Sequence, residues 1–203
     1  MDKKPKYIVG IDEVGRGPIA GPVAVCSFII TLNNYESLIN NGQNDLKIKI
    51  KDSKKLSKKQ REKWYEYLKN EKNNERCNFF VSYVSAENID KFGIVKAINK
   101  SLETSLLKIV SNPKDTFVYL DGGLRAPEQF IYQETVIKGD ELHPVISFAS
   151  IVAKVSRDKV MYNYSKEYPK YSFENHVGYG TKAHYEAIKK YGVLDIHRKS
   201  FLN

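Results

Sequence analysis

Three short segments, "YIVGIDEVG", "TFVYLDGG" and "IYQETVIKGD", each run from β-branched and aromatic residues into carboxylates flanked by glycine. Such composition suits strands. A chain that repeats this pattern, with helix-like stretches between the repeats, is constrained to an α/β sheet. Its strands then end on acids at one edge: Asp12 and Glu13 after the first, Asp121 after the second and Asp140 after the third. That edge is where loops are free to be shaped by chemistry. Side chains alternate faces along a strand, so Asp12 and Glu13 approach one site only if the chain turns or bulges there.

The remaining chain fills in the layers. "YIVGI" (7–11) and "PVAVCSFII" (22–30) read as two strands separated by glycine and proline, and "NFFVSYV" as another. Ser57 with Gln60 forms a capping-box pattern before Trp64, Tyr67 and Leu68, which recur at helical spacing. Ile94, Ile98, Leu102, Leu106 and Ile109 form a second helical stripe, which Pro113 ends. In "HPVISFASIVAKVSRDKVMYNYSKEY", Ala149, Ser150 and Ala153 suit close packing of a helix on the sheet. A final helix is expected from the cap Thr181 to Gly192. The polar stretch "TLNNYESLINNGQNDLKIKIK" is expected to be a mobile loop. The 203 residues suit a single catalytic domain, with a core of about 1–165 and a C-terminal helical segment of about 166–203.

No run approaches the roughly 20 apolar residues of a membrane span, and "MDKKPKY" has no apolar signal region, so a soluble cytoplasmic protein is expected. Cys26 and Cys77 are far apart and outside any zinc or disulfide spacing. The formal net charge of +9 favours polyanions, because each neutralised phosphate releases condensed counterions. Lysine runs are also ordinary solvated surface, so charge alone names no partner.

Asp12, Glu13, Asp121 and Asp140 are oxygen donors suited to hard divalent cations, and four acids can seat a pair. Two metals roughly 4 Å apart can activate a water and stabilise the leaving oxygen of a phosphodiester. A single Asp after a strand is more often a turn residue than a ligand. Gly15, Arg16 and Gly17 form a basic turn whose backbone can approach a sugar hydroxyl, or simply turn the chain. Ser53 and Lys54 can bind phosphate or face solvent. Tyr179, between glycines, is expected to present its ring for stacking.

Taken in order, "GIDEVGRGPIAGPV", "DSKKLS", "LDGG", "KGD", "SIVAKVSRD", "GYGTKAHYEAI" and "HRKSF" resemble the ribonuclease HII family over almost the whole chain. The resemblance implies a ribonuclease H-like fold, a mixed sheet flanked by helices with extra helices at the C-terminal end. It implies hydrolysis of RNA in RNA/DNA hybrids and incision 5′ to single ribonucleotides in duplex DNA, leaving 3′-hydroxyl and 5′-phosphate ends. By motif position, Asp12, Glu13, Asp121 and Asp140 would be the catalytic acids holding Mg2+ or Mn2+, two ions during catalysis. Gly15, Arg16 and Gly17 would read the 2′-hydroxyl, Tyr179 the RNA-to-DNA junction, and Ser53 and Lys54 a phosphate. Asp158, inside a helix, takes a supporting role through a hydrogen bond or salt bridge to a basic neighbour. The four histidines are not needed as general bases. Val177 and Phe148 depart from the family pattern, where a lysine and a small residue are usual.

Two alternatives stand beside this reading. A ribonuclease HIII-like hybrid nuclease would carry an additional N-terminal substrate-binding domain, for which a first motif at Gly10 leaves no room. A non-catalytic hybrid-binding module would gain affinity by shedding the acids. A monomer is expected, and no clear clamp-binding peptide appears in "HRKSFLN".

Overall fold

The computed structural model describes residues 5–50 and 55–202. The chain runs β1 (Tyr7–Val14), β2 (Val23–Thr31), α1 (Leu32–Leu46), α2 (Lys58–Asn73), β3 (Cys77–Val84), α3 (Ala86–Phe92) and α4 (Ile94–Ile109). It continues through β4 (Thr116–Asp121), β5 (Gln133–Val136), α5 (Gly139–Leu142), α6 (Pro144–Glu167), α7 (Phe173–His176) and α8 (Lys182–Tyr191). The sheet order is β3-β2-β1-β4-β5. β1, β2 and β3 form an antiparallel meander, whereas β4 lies parallel to β1, and β5 parallel to β4. The expected mixed α/β sheet flanked by helices is present.

Alternation along β1 divides the core. Ile8 points to the face covered by α1, α2 and α6, where Leu38, Trp64, Leu68, Phe148 and Ile151 pack with Phe28. Val9 and Ile11 point to the other face, covered by α4 through Ile98, Leu102 and Leu106. Each such buried aliphatic side chain contributes about 2 kcal/mol. Phe148 fills the space between Phe28 and Trp64, with ring centroids 5.2 and 5.8 Å away.

Gly10 sets how closely α6 lies on β1. A β-carbon there would stand 2.1 Å from the Val145 carbonyl oxygen, so only glycine lets the helix backbone rest on the strand.

Three expectations are corrected. The supposed mobile loop is helix α1 up to Leu46: Thr31 caps it by accepting from the Asn34 amide at 3.3 Å, and Leu38 is buried. Gly42 lies against the Trp64 ring. Tyr35, Leu38, Ile39, Gly42 and Leu46 keep a helical stripe that outweighs the poor propensities of Asn and Gly. No bulge occurs at the paired acids, since the β1–β2 ladder continues unbroken through Val14. The third segment delivers its acid differently: β5 ends at Val136, and Asp140 stands on the short helix α5.

Replacing Gly10 with Ala is expected to destabilise the fold by about 3 kcal/mol, because the added methyl collides with helix backbone. Urea unfolding measures this, and an unchanged midpoint would show that α6 does not press on β1 as described.

Candidate active site

The acids gather where the sheet forks. Pairing between the parallel strands β1 and β4 stops at Ile11 and Leu120. Asp12 and Asp121 come next on each strand, on the face covered by α6. Asp12 is 5% and Asp140 0% exposed. Asp121 accepts the Gly139 amide through Oδ1 at 2.7 Å, which ties the end of β4 to α5 and draws Asp140 alongside. Ser147 of α6 donates to the Asp140 carbonyl oxygen at 2.6 Å and so fixes that turn against the helix. Glu13 lies on the other face of β1, 3.7 Å from the exposed Arg16 guanidinium.

The electrostatics show the crowding directly. Burial pushes the Asp12 carboxyl well above its ordinary 3.8, a hydrogen bond from Ser150 opposes this, and the charges of Glu13, Asp121 and Asp140 raise it further. The all-oxygen donor set fits a hard divalent cation such as Mg2+ or Mn2+. Among the described residues, no three His, Cys, Asp or Glu side chains already close around a cation position.

Beside the fork, Gly15 turns the chain with φ +87°. A β-carbon placed on Gly17 would lie 3.9 Å from Tyr179 Cε1, so turn and ring are immediate neighbours. Tyr179 is 44% exposed, as its glycine flanks suggest. Ser53 and Lys54 lie outside the described residues. Asp158 makes the expected helix-side ion pair, accepting from Lys154 Nζ at 2.9 Å.

Several residues take roles that the sequence did not assign to them. Ser150 and Ser147 act on the acids from α6. Arg157 and Arg198, both 0% exposed, stand in the motifs "SRD" and "HRKSF", which read in the sequence as a supporting aspartate and as surface charge. For Arg157 the signal is present, since a charged residue inside an otherwise apolar helix face calls for buried partners; Arg198, which precedes the short turn Lys199–Phe201, carries no such signal. His176, His184 and His197 are buried together, whereas His143 stacks on Tyr119 with centroids 4.6 Å apart. Val177 occupies a left-handed conformation, φ +44°, that β-branched residues rarely adopt.

Comparison with known proteins bears on this site. The pattern of the family described as Ribonuclease HII matches residues 9–203. The ribonuclease HII of Clostridium beijerinckii is 43% identical over 197 residues, covering 97% of this chain and 68% of that protein. That of Fusobacterium nucleatum is 40% identical over 204 residues, covering 99% and 88%. Among solved structures, the chain is similar to the Archaeoglobus fulgidus RNase HII in its complex with PCNA, with a TM-score of 0.71 and 26% identity. That match covers 95% of this chain and 94% of the other.

Two consequences can be measured. A carboxyl whose pKa is raised by folding favours the fold while protonated, a contribution present below pH 3.8 and lost as pH rises through the folded value. Metal-free Asp12→Asn protein is therefore expected to melt higher than wild type at pH 7, and a lower midpoint would refute the repulsion. His184 behaves oppositely. Burial lowers it from 6.5 to about 4. Its contribution is complete above pH 6.5 and is lost as pH falls toward 4, so the melting midpoint is expected to drop over that window in wild type and less in His184→Gln.

Proposed function

Because the chain belongs to the ribonuclease HII family, we propose that this ribonuclease H cleaves the RNA strand of RNA/DNA hybrids and incises duplex DNA 5′ to a single embedded ribonucleotide. The products carry 3′-hydroxyl and 5′-phosphate ends. The observation that carries the reading is the juxtaposition, at one end of the sheet, of a repelling carboxylate group with a glycine turn and an exposed tyrosine.

Asp12, Asp121 and Asp140, which share the α6 side of the sheet, would hold Mg2+ or Mn2+, two ions in this proposal; Glu13, on the other face of β1, is proposed as a ligand by its motif alone. Bound there, such ions supply an activated water and a Lewis acid for the leaving oxygen. The protein's own contribution is alignment. Gly139 orients Asp121 through its amide, Ser150 orients Asp12, and Ser147 anchors the turn that carries Asp140. Gly15 to Gly17 offer backbone without side-chain obstruction to the 2′-hydroxyl, the group that separates RNA from DNA. Tyr179 packs on the neighbouring deoxyribose and so reports the junction. By motif, Ser53 and Lys54 hold a phosphate near the scissile bond, and the net charge of +9 favours duplex binding.

Asp121→Asn is expected to abolish cleavage while binding to the hybrid stays equal or tightens, as read by a cleavage assay and fluorescence anisotropy; an active variant would remove Asp121 from the site. Tyr179→Ala is expected to slow incision at a single ribonucleotide by about tenfold more than cleavage of a continuous hybrid, the size of a lost base or sugar stack. Equal losses on the two substrates would contradict junction sensing.

A further inference from the structure

His197 and Arg198 are adjacent in the chain and enclosed, 1% and 0% exposed, so neither reaches a phosphate directly. Arg198 donates from Nη2 to the Gly15 carbonyl at 2.7 Å, from Nη1 to that of Arg16 at 3.0 Å and from Nε to that of Gly21 at 3.0 Å. Its whole fork is thus spent on the turn beside the acids. His197 faces elsewhere. Its Nδ1 accepts from the Leu194 amide at 2.8 Å, and since an amide only donates, the proton of the neutral ring is on Nε2. Nε2 donates to His184 Nε2 at 3.0 Å, which leaves His184 protonated on Nδ1, where it donates to the Tyr179 carbonyl at 2.9 Å. Hydrogen bonds on either side of the His197–Arg198 peptide therefore link the Gly15 turn, through Arg198, to the backbone of Tyr179, through His197 and His184.

We propose that His197 and Arg198 form a positioning strut that sets the spacing between the 2′-hydroxyl-reading turn and the junction-sensing ring, an inference that rests on the function proposed above. A β-carbon on Gly17 would stand only 3.9 Å from Tyr179 Cε1, so turn and ring face each other across a narrow gap that a shift of about an ångström in either widens, a displacement that can change rates by up to about a hundredfold. Arg157 supports the same assembly from α6. It donates to the carbonyls of Pro22 at 2.9 Å, Ala20 at 3.2 Å and Val177 at 2.9 Å, and so holds the chain on both sides of the gap. His197 and Arg198 are positioning residues and touch no substrate.

The test compares initial rates on a duplex with one ribonucleotide and on a continuous RNA/DNA hybrid. His197→Phe keeps the ring among Tyr171 and Phe173 but removes the relay, whereas His197→Gln keeps a donor within reach of His184. In a His197→Phe enzyme of native melting behaviour, the single-ribonucleotide to hybrid rate ratio is expected to fall about tenfold. His197→Gln is expected to restore most of it, and His197→Phe is expected to add no further loss of ratio in a Tyr179→Ala background. Should His197→Phe fail to fold, Arg198→Lys, which retains the charge but not the fork, must lower the same rate ratio without weakening duplex affinity. An unchanged ratio, or losses that multiply with Tyr179→Ala, would overturn the strut. Wild-type enzyme silent on the single ribonucleotide would overturn the underlying function and the strut with it.

Discussion

The acidic end of the sheet depends on how closely α6 lies on β1. The absent side chain at Gly10 lets the Val145 carbonyl rest against the strand. From that contact the helix register follows, bringing Ser147 to the Asp140 carbonyl and Ser150 to the Asp12 carboxylate. Helical geometry does the rest, because residues three and four apart share a face. A helix held a few ångströms farther out would leave Asp12 open to water and Asp140 without its anchor. Ala149 and Ala153, both 0% exposed, extend the close seam along the same face.

That proximity has an electrostatic consequence. Four acids near one fork repel each other, and the fold bears the repulsion because its core is formed elsewhere, by the two hydrophobic layers on either side of the sheet. Of the four, Glu13 lies 3.7 Å from the exposed Arg16 guanidinium, while the buried arginines are used elsewhere. Arg157 and Arg198 are buried but bond only to carbonyl oxygens, and Lys154 is engaged by Asp158. Burial, followed by the like charge of Arg157, lowers Arg198 to about 9, so it stays cationic at neutral pH. The protein thus keeps its buried arginines for shape.

Much of this was legible in the sequence where local chemistry decides. The capping box at Ser57 and Gln60 forms as written, with both reciprocal hydrogen bonds present. Thr181 caps the last helix and Gly192 ends it. The acids at Asp12, Glu13 and Asp121 were visible because each follows an apolar strand. The misreadings came from tertiary context. α1 forms despite its asparagines because Trp64 receives Gly42, a contact with a helix more than twenty residues on. Asp140 sits on α5 because Asp121 captures the Gly139 amide, which no local pattern announces. Arg198 reaches the Gly15 carbonyl from the far end of the chain, so its role was hidden inside a motif that otherwise reads as surface charge.

The central claim is that the carboxylate fork, the glycine turn and Tyr179 act as one ribonucleotide-reading nuclease site. The most direct measurement is cleavage of an end-labelled DNA duplex containing one ribonucleotide, in magnesium, in manganese and in chelator, with the product ends mapped. Metal-dependent incision on the 5′ side of the ribonucleotide, leaving a 3′-hydroxyl and a 5′-phosphate, is the predicted result. Cutting that persists in chelator, or robust cleavage of a continuous hybrid with none at the single ribonucleotide, would contradict it.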